Sequence, residues 1–521
     1  MSSLTKILIL AAFANGLSWI VLIPIWQYPD EQSHFAQVQN IAELGNSPKV
    51  GPDTSLEIAL SEKFLDTERD GLGNNKFTYN PYYHIDYSKS QDGLFEQFIK
   101  NLPKESKTTM VKREATHNPP LYHIMASNFY RIFSGYDLFT RVYAIRFFSV
   151  IIYLAAVAMI INASKLVFKN SNASQISLAT GVAFTPMLVF SSSGVLPDPL
   201  TILLFISVIT LCLKLIDNEL NWKMTALLFA VIFLGTKTRQ QFPIAVLIIL
   251  FPLIYRLTQH FSSKVVIMLT LGTMVLILTG SILFREYLKY IVEFHEIRYP
   301  NLALIFSGEF KDYLVLTIRH YYAQTLPWYW GVYKWLSLTV PHIFYQIINR
   351  TIALSLLGLV IWAVKLIKAK KPENTDIKII FLIYTIFVYF FVFFTWDFYF
   401  QKTYGYSFGI QGRYFLPIIL AITATVFYGL KIIFQSLFNK YMKILYFFLI
   451  CGVVIFNDVS LVYVASSYYN PGNLQEFVAQ VSQYKPLILK GNIIIVILLV
   501  AFMAQLIFFI NLFRYTKTNN D

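Results

Sequence analysis

The chain has 521 residues, of which 56% are hydrophobic and only 14% charged, and its mean hydropathy is +0.53. Apolar runs of that density along most of a chain exclude a soluble globular protein and indicate a polytopic membrane protein. The net charge of +14 does not point to nucleic acid, because no basic stripe interleaves with aromatics on a polar face. The two cysteines, Cys212 and Cys451, lie inside apolar runs, which excludes a disulfide framework or a cysteine-based metal site.

Apolar windows of about 20 residues predict an all-α bundle of about twelve transmembrane helices. They fall near 5–25, 141–162, 174–193, 199–216, 223–236, 241–257, 265–284, 350–367, 378–395, 414–434, 444–465 and 491–512. The first run, "ILILAAFANGLSWIVLIPIW", continues well past an "AFA" that imitates a cleavage site and is expected to be an uncleaved span. The windows 223–236 and 241–257 are short. Lysine and arginine concentrate in "SKLVFKNSN", "KAKKPENTDIK", "FNKYMK" and "LFRYTKTNND", which assigns that side to the cytoplasm.

This orientation makes 26–140 a first extracytoplasmic loop, far too long for an ordinary connector. It opens on "DEQSHFAQVQNIAELG", whose apolar residues Phe35, Val38, Ile41 and Ala42 have helical spacing that ends at Gly45. The middle of the loop is polar and turn-rich and is expected to be its variable part. A second extracytoplasmic loop, 285–349, is rich in aromatics that suit either a membrane interface or a sugar face. The organisation expected is a transmembrane core over 1–284 with 26–140 inserted, the loop 285–349, and C-terminal transmembrane helices over 350–521. No "GxxxxGK" occurs, which argues against ATP-driven transport.

Ionisable residues at span ends are functional candidates. On this map Asp30 and Glu31 follow span one, Arg141 and Arg146 begin span two, and Asp198 precedes span four. Lys237 and Arg239 lie between spans five and six, and Arg413 begins span ten. All fall on the extracytoplasmic side, as one polar site would require. Structural roles compete: arginines at span ends snorkel, and Asp30 and Asp198 suit helix caps. His34 lies one turn from Asp30, and with His117, Asp30 and Glu31 it forms a set compatible with a divalent metal, although the spacing is not diagnostic. Asp458, deeper in its span, has no assigned role.

Several passages resemble a known superfamily. "PDEQSHF" is similar to the Asp-Glu pair that opens the first outer loop of protein O-mannosyltransferases and of the lipid A aminoarabinose transferase. "HNPPLYHIMASNFYRIFSGYDLFTRVYAIRFFSV" resembles the passage leading those proteins into their second span, and "LGTKTRQQFP" resembles their "LTKGP" turn. "QGRYFLP" resembles the signature of a bacterial membrane family of unassigned function. The chain departs from the pattern at His123, at "RFFSV", which lacks a proline, and at "TKTRQ", which lacks a glycine.

The resemblance implies a GT-C-like bundle and an inverting glycosyltransferase of a bacterial-type cytoplasmic membrane. It would use a polyprenyl phosphate-linked sugar, and its acceptor would be an extracytoplasmic glycan, lipid or protein. Such a reaction needs a carboxylate to take the proton of the attacking hydroxyl and cations to hold the leaving phosphate. On that basis Asp30 is the expected base with Glu31 beside it. Arg413, Lys237, Arg239, Arg141 and Arg146 are the candidates for phosphate, and His34, His117, Tyr122, Asp198 and Gln411 those for substrate. The resemblance fixes no cofactor, and a divalent metal stays open. The alternative is a transporter or flippase for a lipid-linked or anionic substrate, which would spread polar residues through the membrane depth.

Overall fold

Inside a bilayer no water satisfies backbone N–H and C=O groups, so apolar runs of this kind close their hydrogen bonds within helices. A computed structural model describes residues 3–518 apart from 48–50, 72, 86, 88–89, 114–117, 170, 219–220, 261–301 and 370–371. The first half of the chain forms α1 (Ser3–Leu22), α2 (Glu31–Leu44), α3 (Leu56–Phe64), α4 (Ser90–Lys100), α5 (Leu121–Ile132) and α6 (Leu138–Val167). These are followed by α7 (Asn172–Ala183), α8 (Pro186–Ser193), α9 (Asp198–Asp217), α10 (Trp222–Thr236) and α11 (Ile244–His260). Later helices include His342–Lys368, Asn374–Tyr404, Ile419–Phe438, Met442–Tyr468 and Ile493–Thr518. The protein is an all-α polytopic membrane protein.

Eight described helices are long and apolar enough to cross a membrane, or nine if the pair α7–α8 counts as one span. That pair bends by 52°. The cause is local: Pro186 has no N–H to give the preceding turn and pushes Thr185 into an extended conformation. The expected spans at 223–236 and 241–257 fall on α10 and α11, which are shorter apolar helices. The expected span at 265–284 lies outside the described residues.

Helix α9 is central, with 89% of its apolar window buried against 17% for His342–Lys368; it packs on α6, α10 and α11. Its two ends carry different chemistry. At Asp217 the carboxylate takes Lys378 at 2.7 Å and Lys169 at 3.0 Å, a pairing among residues of the lysine-rich loops. Asp198, at the other end, joins the cluster described below.

Residues 26–140 carry α2 to α5 and a two-stranded antiparallel ribbon, β1 (Thr54–Ser55) with β2 (Met110–Val111), registered Thr54 to Val111. The segment expected to be polar and variable is an ordered part of this layer, since Ser55, Ser61 and Thr67 are buried. The buried face of α3 is mixed, with Ile58 and Ala59 beside Glu57, Ser61 and Glu62, and Phe64 stacks on Phe95 of α4. A second ribbon pairs β3 (Val332–Tyr333) with β4 (Leu338–Thr339). Its turn has Lys334, Trp335 and Leu336 all left-handed, at φ 50°, 54° and 64°, a strained run that surrounding contacts must hold. Trp335 supplies them, donating its indole N–H to the Trp26 carbonyl at 3.1 Å and accepting from the Tyr79 N–H at 3.3 Å.

Candidate active site

The two adjacent carboxylates after α1 have separate fates. Glu31 is fully buried and binds Arg146 through two bonds, at 2.7 Å to Nε and 2.6 Å to Nη2. It also accepts the backbone N–H groups of Trp26 at 3.0 Å and Val195 at 3.2 Å. Arg146 in turn donates to the carbonyls of Ile23 and Pro24, each at 2.8 Å, which closes the end of α1, and lies between the rings of Tyr28 and Tyr143. Arg141 is likewise held, by Glu57 at 2.6 and 2.9 Å and by the Tyr130 hydroxyl at 2.6 Å. The expectations for Glu31, Arg141 and Arg146 therefore need correction: all three are occupied inside the protein, where an unpaired charge would be costly.

Asp30 is the exposed member of the pair, with 36% of its side chain accessible against 0% for Glu31. It occupies the N-cap position of α2 in a left-handed conformation, φ 55°, and its carboxylate makes no cap hydrogen bond. The carboxylate turns instead to two guanidiniums, Arg413 at 3.2 Å and Arg69 at 3.5 Å. Arg69 also donates to Ser33 Oγ. Asp30 thus has the backbone position of a cap without the function.

Arg413 is seated by backbone packing. It lies in the 3₁₀ turn Gly412–Ile418, and a Cβ on Gly412 would meet the Tyr329 N at 2.1 Å, so only glycine lets this turn approach the 328–329 backbone. The Tyr389 hydroxyl fixes the next carbonyl, that of Tyr414, at 2.7 Å. Arg413 is 7% accessible, and its Nε is buried without a hydrogen-bond partner. The guanidinium therefore holds one donor in reserve.

Arg239 pairs with Asp198, the first residue of α9, and donates to the Asn118 side chain at 3.4 Å. The second carboxylate oxygen of Asp198 is buried without a partner. Between these groups His34 and His123 meet ring nitrogen to ring nitrogen at 3.1 Å, both buried. Burial, His123 and the charges of Arg239, Arg413 and Arg69 hold His34 well below the usual histidine range, and burial pushes His123 down to about 3. Both imidazoles are neutral near pH 7, and the cations of the site are the three guanidiniums.

Of the other expected residues, Lys237 stands 5.8 Å from the Phe233 ring on its own helix and enters none of these contacts. Tyr122 is buried and its hydroxyl bonds Ser149 at 2.8 Å. Gln411 is half-buried at the start of the 412–418 turn, and His117 lies outside the described residues. Of the metal set compatible with the sequence, His117 lies outside the described residues, Glu31 is paired with Arg146 and His34 bonds His123. Among the described residues no three His, Cys, Asp or Glu side chains could hold a metal ion together. Arg69, Asn118 and the His123 pairing were not foreseen from the sequence.

The model of a family described as a predicted membrane protein, DUF2142, matches residues 13–422. The chain belongs to this family. No curated protein matches it. Among solved structures this DUF2142 chain is similar to the archaeal oligosaccharyltransferase AglB of Archaeoglobus fulgidus, solved with an inhibitory peptide and a dolichol-phosphate, at 14% identity and a TM-score of 0.46. The similarity covers 90% of this chain and 56% of that one, so the DUF2142 chain spans little more than half the length of that protein.

Proposed function

We propose that the protein is a membrane glycosyltransferase that moves a sugar from a polyprenyl phosphate-linked donor to an extracytoplasmic acceptor, with inversion. One observation carries the reading: Asp30, the accessible carboxylate, stands between Arg69 and Arg413, and Arg413 retains an unpartnered Nε. The guanidiniums of Arg69, Arg239 and Arg413 converge here, with Asp30 and Asp198 as ion-pair partners and Glu62 beside Arg69, and a bound anion would compete with these carboxylates for them. A forked guanidinium matches phosphate oxygens.

The geometry suggests how donor and base are coupled. In the free protein the Asp30 carboxylate is tied to Arg413 and Arg69, which occupy the oxygens that would have to accept a proton. Donor phosphate competes for the same guanidiniums and releases the carboxylate as it binds. The acceptor hydroxyl then attacks the anomeric carbon while Asp30 takes its proton. The bond from that carbon to the phosphate oxygen breaks, and its electron pair leaves with the phosphate on Arg413, Arg69 and Arg239. His34 and His123, neutral and buried, position Asp30's helix and lend no charge.

The positive-inside bias supports an extracytoplasmic site, where donors are lipid-linked. The test is a purified, reconstituted protein given a synthetic polyprenyl phosphate-sugar series, with release of polyprenyl phosphate as the readout. A strain lacking the protein should accumulate the lipid-linked sugar and lose a glycoconjugate. Absence of both outcomes across hexosyl and pentosyl donors would sink the transferase reading.

A further inference from the structure

Asp458 stands apart from the cluster. It lies on the Met442–Tyr468 helix, about 15 Å short of the end at Tyr468, taking 1.5 Å per residue. A carboxylate at such depth in a span is costly and marks a functional position by default. Gln505 of the Ile493–Thr518 helix donates to it at 2.9 Å, and among the described residues no cation pairs with it.

Asp458 and Gln505 line a cavity of about 390 Å³ together with Asn15 and Ser18 of α1. Asn15 is an independent sign of a ligand: it is 1% accessible, and both its amide nitrogen and its amide oxygen are without a hydrogen-bond partner. A buried amide left unpaired costs about 1–3 kcal/mol, a loss that a bound polar group would reverse. The remaining wall is mostly apolar, with Ser466 and Tyr469 toward the Tyr468 end of the helix, Leu461 and Ala501 buried, and Val462 and Phe502 exposed on the outer surface of these spans. The cavity therefore opens sideways toward hydrocarbon.

These features select the occupant. One unpaired carboxylate calls for one positive charge, and Asp458, the Asn15 oxygen and the Gln505 oxygen are acceptors suited to an N–H donor with several hydrogens. A bare ion would leave the apolar walls uncovered, whereas an alkyl chain covers them. We infer that the cavity binds a primary-amine amphiphile from the bilayer, its ammonium on Asp458 and Asn15 and its chain between Leu461 and Phe502. The site is separate from the Asp30 cluster and does not depend on the transferase reading.

The test is binding of radiolabelled dodecylamine to the full chain in nanodiscs, with dodecanol and sodium chloride as competitors. Binding should saturate, weaken about tenfold or more in Asp458→Asn, as expected for loss of a charged hydrogen bond, and persist in Asp30→Asn. Asn15→Leu should weaken it too, and because this change removes an unpartnered polar group it serves where Asp458→Asn fails to insert. Undiminished binding in both variants overturns the inference. So does equal competition by dodecanol, which would mean the cavity reads only the chain, or displacement by millimolar sodium, which would make it an ion site.

Discussion

The adjacent carboxylates Asp30 and Glu31 should give opposite phenotypes on replacement by their amides. Glu31→Gln keeps the size of the side chain but sets an amide nitrogen against a site that supplies four donors, two from Arg146 and one each from Trp26 and Val195. Arg146 would remain charged in a fully buried position. Removing one partner of such a pair costs about 3–5 kcal/mol, a large share of the ~5–15 kcal/mol that separates a folded from an unfolded domain. Asp30→Asn should cost much less stability, because that side chain is accessible and makes no cap bond, and the amide oxygen of asparagine can still accept from Arg413. Its effect should fall on transfer, with a loss on the order of 10² to 10⁴ for a missing general base. Thermal unfolding of the purified variants, followed in nanodiscs, measures the first effect, and release of polyprenyl phosphate measures the second. Glu31→Gln/Arg146→Met should recover part of the lost stability, since it removes the orphaned charge. A Glu31→Gln protein that unfolds with the wild-type would refute the buried-pair account. Near wild-type turnover in Asp30→Asn would refute the base.

Arg413→Gln should weaken binding of a polyprenyl phosphate-sugar by about tenfold or more and Arg413→Lys should not restore it, because lysine lacks the fork; Lys237→Gln, outside the cluster, should change donor affinity little, and equal losses in the two would move the phosphate site. The buried histidines make stability acid-sensitive: His123 binds its proton at about 3 in the folded protein and near 6.5 when unfolded, so its contribution is complete above about 6.5 and declines as the pH falls toward 3. Unfolding midpoints measured across that window should fall less steeply for His123→Gln than for the wild-type, and parallel curves would contradict this. Single cysteines in a background without Cys212 and Cys451 report orientation. Tyr82, 89% exposed, serves for the first long loop. An impermeant reagent on intact cells should label Tyr82→Cys and not Asn374→Cys, and the reverse pattern would invert the map.

Much of the fold is written in the apolar runs, because a bilayer span is a local property: length and composition decide it without reference to partners. The charged residues at span ends were legible as candidates for the same reason, since Asp30, Asp198, Arg239 and Arg413 stand out against apolar neighbours. Which charge meets which was not legible. Arg141 and Arg146 look like free cations in the sequence, and only the folded 26–140 segment brings Glu57 and Glu31 to them. Arg69 does not stand out in the sequence because it lies in the polar, turn-rich stretch after α3, where one more charged residue has charged neighbours on both sides. The neutral state of His34 depends on burial against His123, 89 positions away in sequence, and no local pattern announces it.

The ion pair between Asp30 and Arg413 joins residues 383 positions apart, and that separation is also an interval of time. At ~5–20 residues per second of synthesis, the carboxylate precedes its guanidinium by roughly 20 to 80 s. The Glu31–Arg146 pair needs far less chain, with the Val195 amide following soon after. The mount beneath Asp30 can therefore set while most of the later helices are still unmade. During that interval the young chain presents an acidic loop with Arg69 as its cationic companion, and anion affinity arrives only with the final third of the protein. A chain ending before Arg413 would keep the Glu31–Arg146 pair but leave Asp30 with Arg69 alone of its two guanidiniums.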